Sequence, residues 1–275
     1  MGHAEEPQSN RLLAALTDAD WQRWRPHLQC VGLKPGQVLH EPGRAQCHAY
    51  FPTSAVVSLM YRMDSGSSAE VAVVGHEGVV GVSLFLGADT PTSRASVLIP
   101  GQAFRIGAQT IKDEFDRFES VRHIVLRYTQ ALATQVAQTA VCNRHHSIDQ
   151  HLCGWLPHSL DRLQGTEVVV TQELIASMLG VRRESMTQAA SHLQNAGLIR
   201  YSRGHISVLD RVGLEQRSCE CHAVVKKEYD HLLPQAPQEP GARPTDPGRR
   251  TWRAWPQAAP ARCTLRHDVA AVGET

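Results

Sequence analysis

Within this chain of 275 residues, the densest group of side chains suited to recognition chemistry runs Arg182-Arg183-Glu184-Ser185-Met186-Thr187-Gln188. At helical spacing, Val181, Met186, Ala190 and Leu193 fall on one face, which leaves Arg182, Arg183, Ser185 and Gln188, with Glu184 and Thr187 beside them, on the other. That open face holds the groups that read base edges in a major groove. Arg takes guanine O6 and N7 together, Gln takes adenine N6 and N7, and Glu accepts from cytosine N4, at roughly 1–3 kcal/mol of discrimination per good pair. Thr171 and Gln172, at the start of the preceding segment, join the DNA-contacting set. So do Arg200, Ser202, Arg203 and His205 on a following hairpin, whose donors suit backbone phosphate and position without specifying. The competing reading is a solvated helix face in a domain that packs only against protein. Charge does not separate the two, because the whole chain carries only +1 and basic and acidic side chains balance between Gly165 and His222. The placement of the groups is what favours DNA.

Those groups need elements to hold them. A short helix from Gln172 to Leu179 is expected to bury Leu174, Ile175 and Met178, Gly180 allows a tight turn, and a second helix runs from Arg182 to Asn195 before Gly197. This is helix-turn-helix spacing, with Ala176 where the helices come closest. The Arg200–Ile206 hairpin makes it a winged helix. Ser147 and Gln150 have the form of a capping box that opens this domain, assigned to residues 147–233. Before it, residues 115–146 read as one long helix, with Phe118, Val121, Val125, Tyr128, Leu132, Val136 and Thr139 at three- and four-residue steps. Some 25 residues span roughly 37 Å, more than a small barrel needs for cover. One reading is simply a helix lying on the barrel; the favoured one makes Val121, Val125, Tyr128, Leu132 and Val136 a dimer seam, with Ala131, Ala137 and Ala140 permitting close approach. Residues 10–114 read as a β-roll: short β-rich runs at 38–39, 55–60, 70–74, 95–99 and 103–106 alternate with Pro-Gly and Gly-rich turns, after a short helix opened by Thr17. The stretch 234–275 holds seven of the 15 prolines without periodicity and is expected to be a disordered tail.

Other chemistries find less support. The seven cysteines (30, 47, 142, 153, 219, 221 and 263) include no Cys-x-x-Cys pair. Cys219-x-Cys221-His222 offers soft ligands, but a structural zinc site takes four and no partner pair is near in sequence, so a thiol pair and no metal is expected. His145, His146 and His151 flank the hinge between domains, where the two readings are protonation near pH 6.5 biasing orientation and, more commonly for such histidines, mere exposure. His40 and His48 lack the His-x-His pattern of a metal-holding barrel enzyme. No phosphate loop, His-Glu-x-x-His or Gly-x-Ser-x-Gly occurs, and no enzyme is expected. No window approaches the ~18 uninterrupted apolar residues of a spanning helix. The start, Met1 to Glu6, lacks a basic region before an apolar one, so the expected location is the cytoplasm. Apolar residues at 42%, charged residues at 20% and a mean hydropathy of −0.29 describe an ordinary globular chain.

Residues ~10–233 resemble the Crp/Fnr superfamily of bacterial transcription regulators, related to the cyclic-AMP receptor protein. The resemblance is carried by Gly180-Val181-Arg182-Arg183-Glu184-Ser185-Met186-Thr187-Gln188, which is similar to the family's Gly-x-Ser-Arg-Glu-Thr-Val-x-Arg signature, and by Leu198-Ile199 leading into the wing. It implies an α+β fold: an N-terminal β-roll of the cyclic-nucleotide-binding type (a double-stranded β-helix), a long dimerisation helix and a C-terminal winged helix-turn-helix. It also implies a homodimer on palindromic double-stranded DNA, with RNA polymerase as a further partner and no membrane. Arg183 and Glu184 then sit on base-reading positions. Arg182 stands where a capping Ser is usual and Gln188 replaces a second base-reading Arg, so the half-site should differ from the best-known family consensus. Cyclic-nucleotide binders of the family cradle phosphate and ribose with a Gly-Glu-x-Gly turn and an Arg-Ser pair. Here Gly75-His76-Glu77-Gly78 places the acid one residue late, and Arg94-Ala95 keeps the Arg but loses the adjacent hydroxyl. The candidate effector set is Gly75, Glu77, Gly78, Arg94 and Ser96, with a cyclic nucleotide weighed against a degenerate or different pocket. Cys30 and Cys47 stand alone before the long helix, so no iron–sulfur cluster is expected. The remaining alternative is a small-molecule sensor or protein-interaction module without direct DNA regulation.

Overall fold

The computed structural model of the chain describes residues 6–160, 167–169, 171–202 and 205–233; the expected tail at 234–275 and the hairpin's Arg203 lie outside the described residues. The N-terminal segment is pinned before it reaches any strand. Asn10 caps helix α1 (Arg11–Ala14) by accepting from the Leu12 and Leu13 amides, and its own amide donates to Pro52 O and Gly78 O at 2.8 Å each. Helix α2 (Asp18–Trp24) is opened by Thr17, whose hydroxyl oxygen accepts from Asp20 N, as its sequence suggests.

Seven strands follow: β1 (Gln29–Leu33), β2 (Val38–His40), β3 (His48–Pro52), β4 (Val56–Arg62), β5 (Ser68–Val74), β6 (Arg94–Ile99) and β7 (Gly101–Gly107). They form two antiparallel sheets, ordered β1-β7-β3 and β2-β6-β4-β5. Alternating side chains from both, among them Val57, Val74, Ala95, Val97 and Ala103, make one apolar cluster, as half-buried strands of period two should. The run expected at each of β2, β4, β5, β6 and β7 is present. β1 and β3 carry Gln29, Cys30, His48 and Tyr50 and gave no clear apolar signal.

The long helix is two. Helix α3 (Ala108–Arg117) ends at Phe118, whose backbone is extended, and α4 (Glu119–His145) begins after it. The Arg23 guanidinium stacks 3.4 Å from the Phe118 ring centre and pairs with Glu114, which fixes the break. The dimer seam read from periodicity is corrected as well. Val121, Val125, Tyr128, Ala131 and Leu132 are buried among Trp24, Phe51, Leu84 and Phe104 of the chain's own core, so they cannot meet another subunit. Val136 is exposed, and the outward stripe of α4 consists of Leu126, Ala133, Ala137, Ala140 and Val141. The apolar spacing was real, but the protein's own roll covers it.

The second domain starts at α5 (Ile148–Leu160) with the expected capping box: Gln150 N donates to Ser147 Oγ and Ser147 N to Gln150 Oε1. Then come β8 (Glu167–Val169), α6 (Gln172–Met178), α7 (Arg183–Asn195), β9 (Ile199–Ser202) and β10 (His205–Val208), with the strands in antiparallel order β8-β10-β9. Helices α8 (Arg211–Arg217) and α9 (Cys221–Leu232) close the described chain. Val225, Tyr229 and Leu233 carry α9 back into the roll's core against α4. Among the described residues no helix is long and apolar enough to cross a membrane.

Candidate nucleic-acid interface

The recognition face is built by glycine turns and by one-sided burial. Thr171 Oγ1 accepts from Leu174 N and so caps α6. Gly180 turns the chain at φ +64, and Val181 N donates to Ala176 O at 2.9 Å, which brings the two helices together at the buried Ala176. Only glycine takes that backbone region without strain. A Cβ at Gly180 would make ordinary van der Waals contact with Ala69 Cβ on β5, at 3.6 Å, so the requirement for glycine is one of backbone conformation. Of the three side chains expected in the core, Ile175 is buried, Leu174 is exposed, and that of Met178 lies outside the described residues.

On α7, Met186, Ala189, Ala190 and Leu193 are buried against Leu152, Leu156, Ile175 and Ile199. Arg182, Arg183, Glu184, Thr187 and Gln188 are exposed on the other side, with Ser185 half-buried between. Arg182 occupies the position before the helix with an extended backbone and no side-chain cap bond; a guanidinium has only donors and cannot accept from the helix's free amides. Its charge therefore stays outward. Thr187 donates its hydroxyl to Arg183 O at 2.9 Å. In the wing, His205 pairs with Ser202 and Ile206 with Tyr201 across β9 and β10; Ile206 is buried in the core and Tyr201 packs against it. Arg200, Ser202 and His205 are exposed. Gln194 Oε1 accepts from Tyr201 N at 2.8 Å and fastens the wing to the end of α7. Arg203 and the side chain of Gln172 lie outside what is described.

The sensor-side candidates are held by the protein itself. Glu77 is buried and accepts from Gly75 N at 3.1 Å, closing its own turn. Gly78 faces the Tyr128 ring so closely that a Cβ would lie 2.6 Å from it, and Tyr128 donates its hydroxyl to Val79 O. Arg94 pairs with Glu41 at 3.4 Å, and Ser96 lies on β6 opposite Ser58 and Val38.

Cys219-x-Cys221-His222 has no partner pair near it in sequence, but the fold brings two further candidate ligands to Cys219 and Cys221. Cys142, on the last turn of α4, and His146, just beyond its end, come to the same place as these two cysteines. That i, i+4 pair was the signal available in the sequence, but its partners lie 77 positions away. Burial is the main force pushing the thiol of Cys142 well up, and that of Cys221 up to about 11.

Residues 150–217 match the Crp-like helix-turn-helix domain family. No curated protein sequence matches the chain. The fold is similar to that of a Crp/Fnr-family transcriptional regulator from Eubacterium rectale at TM-score 0.61 and 19% identity, covering 76% of this chain and 98% of that one. A CRP-family regulator from Thermus thermophilus aligns at TM-score 0.59 and 16% identity, over 68% of this chain and 96% of the other. FixK2 from Bradyrhizobium japonicum aligns at 0.59 and 12%, over 70% and 98%. A roll with a helix laid along it, followed by a matched Crp-like helix-turn-helix domain, gives this chain the architecture of the Crp/Fnr transcriptional regulators.

Proposed function

We propose that the protein binds palindromic duplex DNA as a homodimer and reads its sequence through α7. The observation that carries this reading is the one-sided helix: every apolar residue of α7 is turned inward, and Arg183, Glu184 and Gln188 are left without packing. Arg183 and Gln188 suit purine edges and Glu184 suits cytosine N4. Arg182, Ser185 and Thr187 lie beside them. The exposed Thr171, Arg200, Ser202 and His205 are the donors we assign to the flanking phosphates, and Gln172 and Arg203 belong to the same set by sequence. In a two-fold dimer, two such helices enter successive major grooves about 34 Å apart. The exposed stripe of α4 supplies the contact between subunits. An effector at the roll would act by favouring one spacing of the recognition helices. The closed Gly75–Gly78 turn and the Arg94–Glu41 pair support an effector pocket different from the cyclic-nucleotide cradle. RNA polymerase is the partner through which such a regulator would act, in the cytoplasm.

The test uses a duplex selected from a random pool by the full-length protein. Arg183→Ala should weaken binding to it by about 5- to 150-fold and largely spare a scrambled duplex. Equal loss on both duplexes would show that Arg183 meets phosphate only, and the absence of any selectable duplex would end the proposal.

A further inference from the structure

Where the end of α4 passes the start of α9, Cys142, His146, Cys219 and Cys221 bring four ligand atoms within 4.8 Å of one another. Cys142 Sγ lies 3.5 Å from Cys219 Sγ, and Cys221 Sγ lies 3.6 Å from His146 Nδ1. An ion bound tetrahedrally at ~2.3 Å to sulfur and ~2.0–2.1 Å to nitrogen sets its ligand atoms roughly 3.5–3.8 Å apart. These edges already have that length. We infer that the four side chains form a mononuclear, tetrahedral site for a thiophilic divalent cation of the zinc class, which clasps the end of the long helix to the α8–α9 corner.

The donor set is complete. Three sulfurs and one imidazole leave no open position, the pattern of a structural site rather than a catalytic one. Cys142, on the last turn of α4, and His146, which follows the helix and donates its amide to Cys142 O, supply two donors, and the Cys-x-Cys at the start of α9 supplies the other two. The imidazole is also oriented from behind: His146 Nε2 lies 3.6 Å from Glu220 Oε2, so a carboxylate holds the ring with Nδ1 toward the thiols. Metal-bound histidines commonly use their second nitrogen in this way. An iron–sulfur cluster would spread its cysteines around a body of several atoms and does not fit ligands this close together. A cavity of about 110 Å³ lined by Cys142, Cys219, Cys221, His151 and His222 adjoins the cluster and gives an ion access. Bound there, a cation would tie the segment between the two domains to the helix that returns to the roll.

The experiment titrates reduced, chelator-stripped full-length protein with Co(II). The expected result is saturation at one ion per chain, with the intense ligand-field and sulfur charge-transfer absorption of a tetrahedral thiolate site, bleached by equimolar Zn(II). No uptake, or the pale spectrum of octahedral cobalt, would overturn the inference. So would a Cys142–Cys219 disulfide that forms in place of metal uptake. A Cys219→Ser/Cys221→Ser double variant should lose the spectrum; retention would place the ion elsewhere. Because that variant could fail to fold, Glu220→Gln, on an exposed side chain, serves as the second probe. It should keep the tetrahedral spectrum and yield its metal to a competing chelator roughly tenfold more readily; unchanged affinity would remove the carboxylate's part and with it the orienting contact argued above.

Discussion

Tyr229 in α9 donates its hydroxyl to Gln135 Oε1 in α4 at 2.9 Å, and Gln135 Nε2 donates in turn to Val73 O on β5 at 3.2 Å. Strand, long helix and final helix are thus joined by one buried polar relay. The Arg11 guanidinium adds bonds to Leu233 O and Asp230 at the far end of α9. Helix α9, which the sequence reading places in the 147–233 domain, therefore packs into the core of the roll. Tyr229→Phe would take the hydroxyl donor from the Gln135 oxygen at almost no change in shape. An unfolding free-energy loss of about 1–3 kcal/mol is expected, read from urea midpoints against the exposed control Lys227→Ala. A difference within a few tenths of a kcal/mol would show that the relay contributes nothing.

Gly78 is required for space rather than for backbone freedom. Its missing Cβ would stand 2.6 Å from the Tyr128 ring and hydroxyl, in a fully buried site. Gly78→Ala should destabilise by about 1–3 kcal/mol through overpacking. On a Tyr128→Leu background the same substitution should cost clearly less, since the two residues share one volume. Additive losses in the double variant would contradict the steric account.

His40 ties stability to acidity. Both ring nitrogens are buried with no hydrogen-bond partner among the described residues, and burial lowers its pKa from 6.5 to about 4. Between those values the unfolded chain holds the proton and the folded chain does not. The contribution of the neutral ring is therefore fully present above pH 6.5 and is lost as pH falls toward 4, up to roughly 3 kcal/mol. His48 shifts in the same direction through burial and the nearby Arg105 charge. Urea unfolding at about pH 7 and about pH 5 should show this fall, and His40→Leu should reduce it. An equally steep fall in the variant would assign the effect to other groups.

What the residues disclosed in advance follows the range of the interactions. The helix-turn-helix was legible because its signals are local: Gly180 and Gly197 punctuate two short helices, and Met186, Ala190 and Leu193 mark an inner face within thirteen residues. The roll's apolar strands were legible for the same reason. Periodicity could show that Val121, Val125, Tyr128 and Leu132 share a face of α4, but not that the chain's own roll covers it. Nor could spacing pair Cys142 with Cys219, or bring Tyr229 to Gln135, because those contacts exist only after α9 folds back. Phe118 carried a good helical period and still breaks the helix, since its ring is held by Arg23 from another element.

The corrected outward face of α4 leads to a paired test of assembly and folding. Leu126, Ala133, Ala137 and Ala140 recur at steps of seven, four and three along the exposed side, small residues that the proposed contact between subunits would need for close approach. Leu132, on the opposite side, is buried in the protein's own core. Leu132→Ala should therefore cost about 2–5 kcal/mol of folding stability. Ala137→Glu places a charge at the centre of the stripe. It should leave the unfolding midpoint of the monomer near the native value, yet shift sedimentation from dimer to monomer and abolish high-affinity binding to a palindromic duplex while a half-site is still bound weakly. If Ala137→Glu sediments as a dimer, the subunits meet elsewhere, and the stripe is merely solvated.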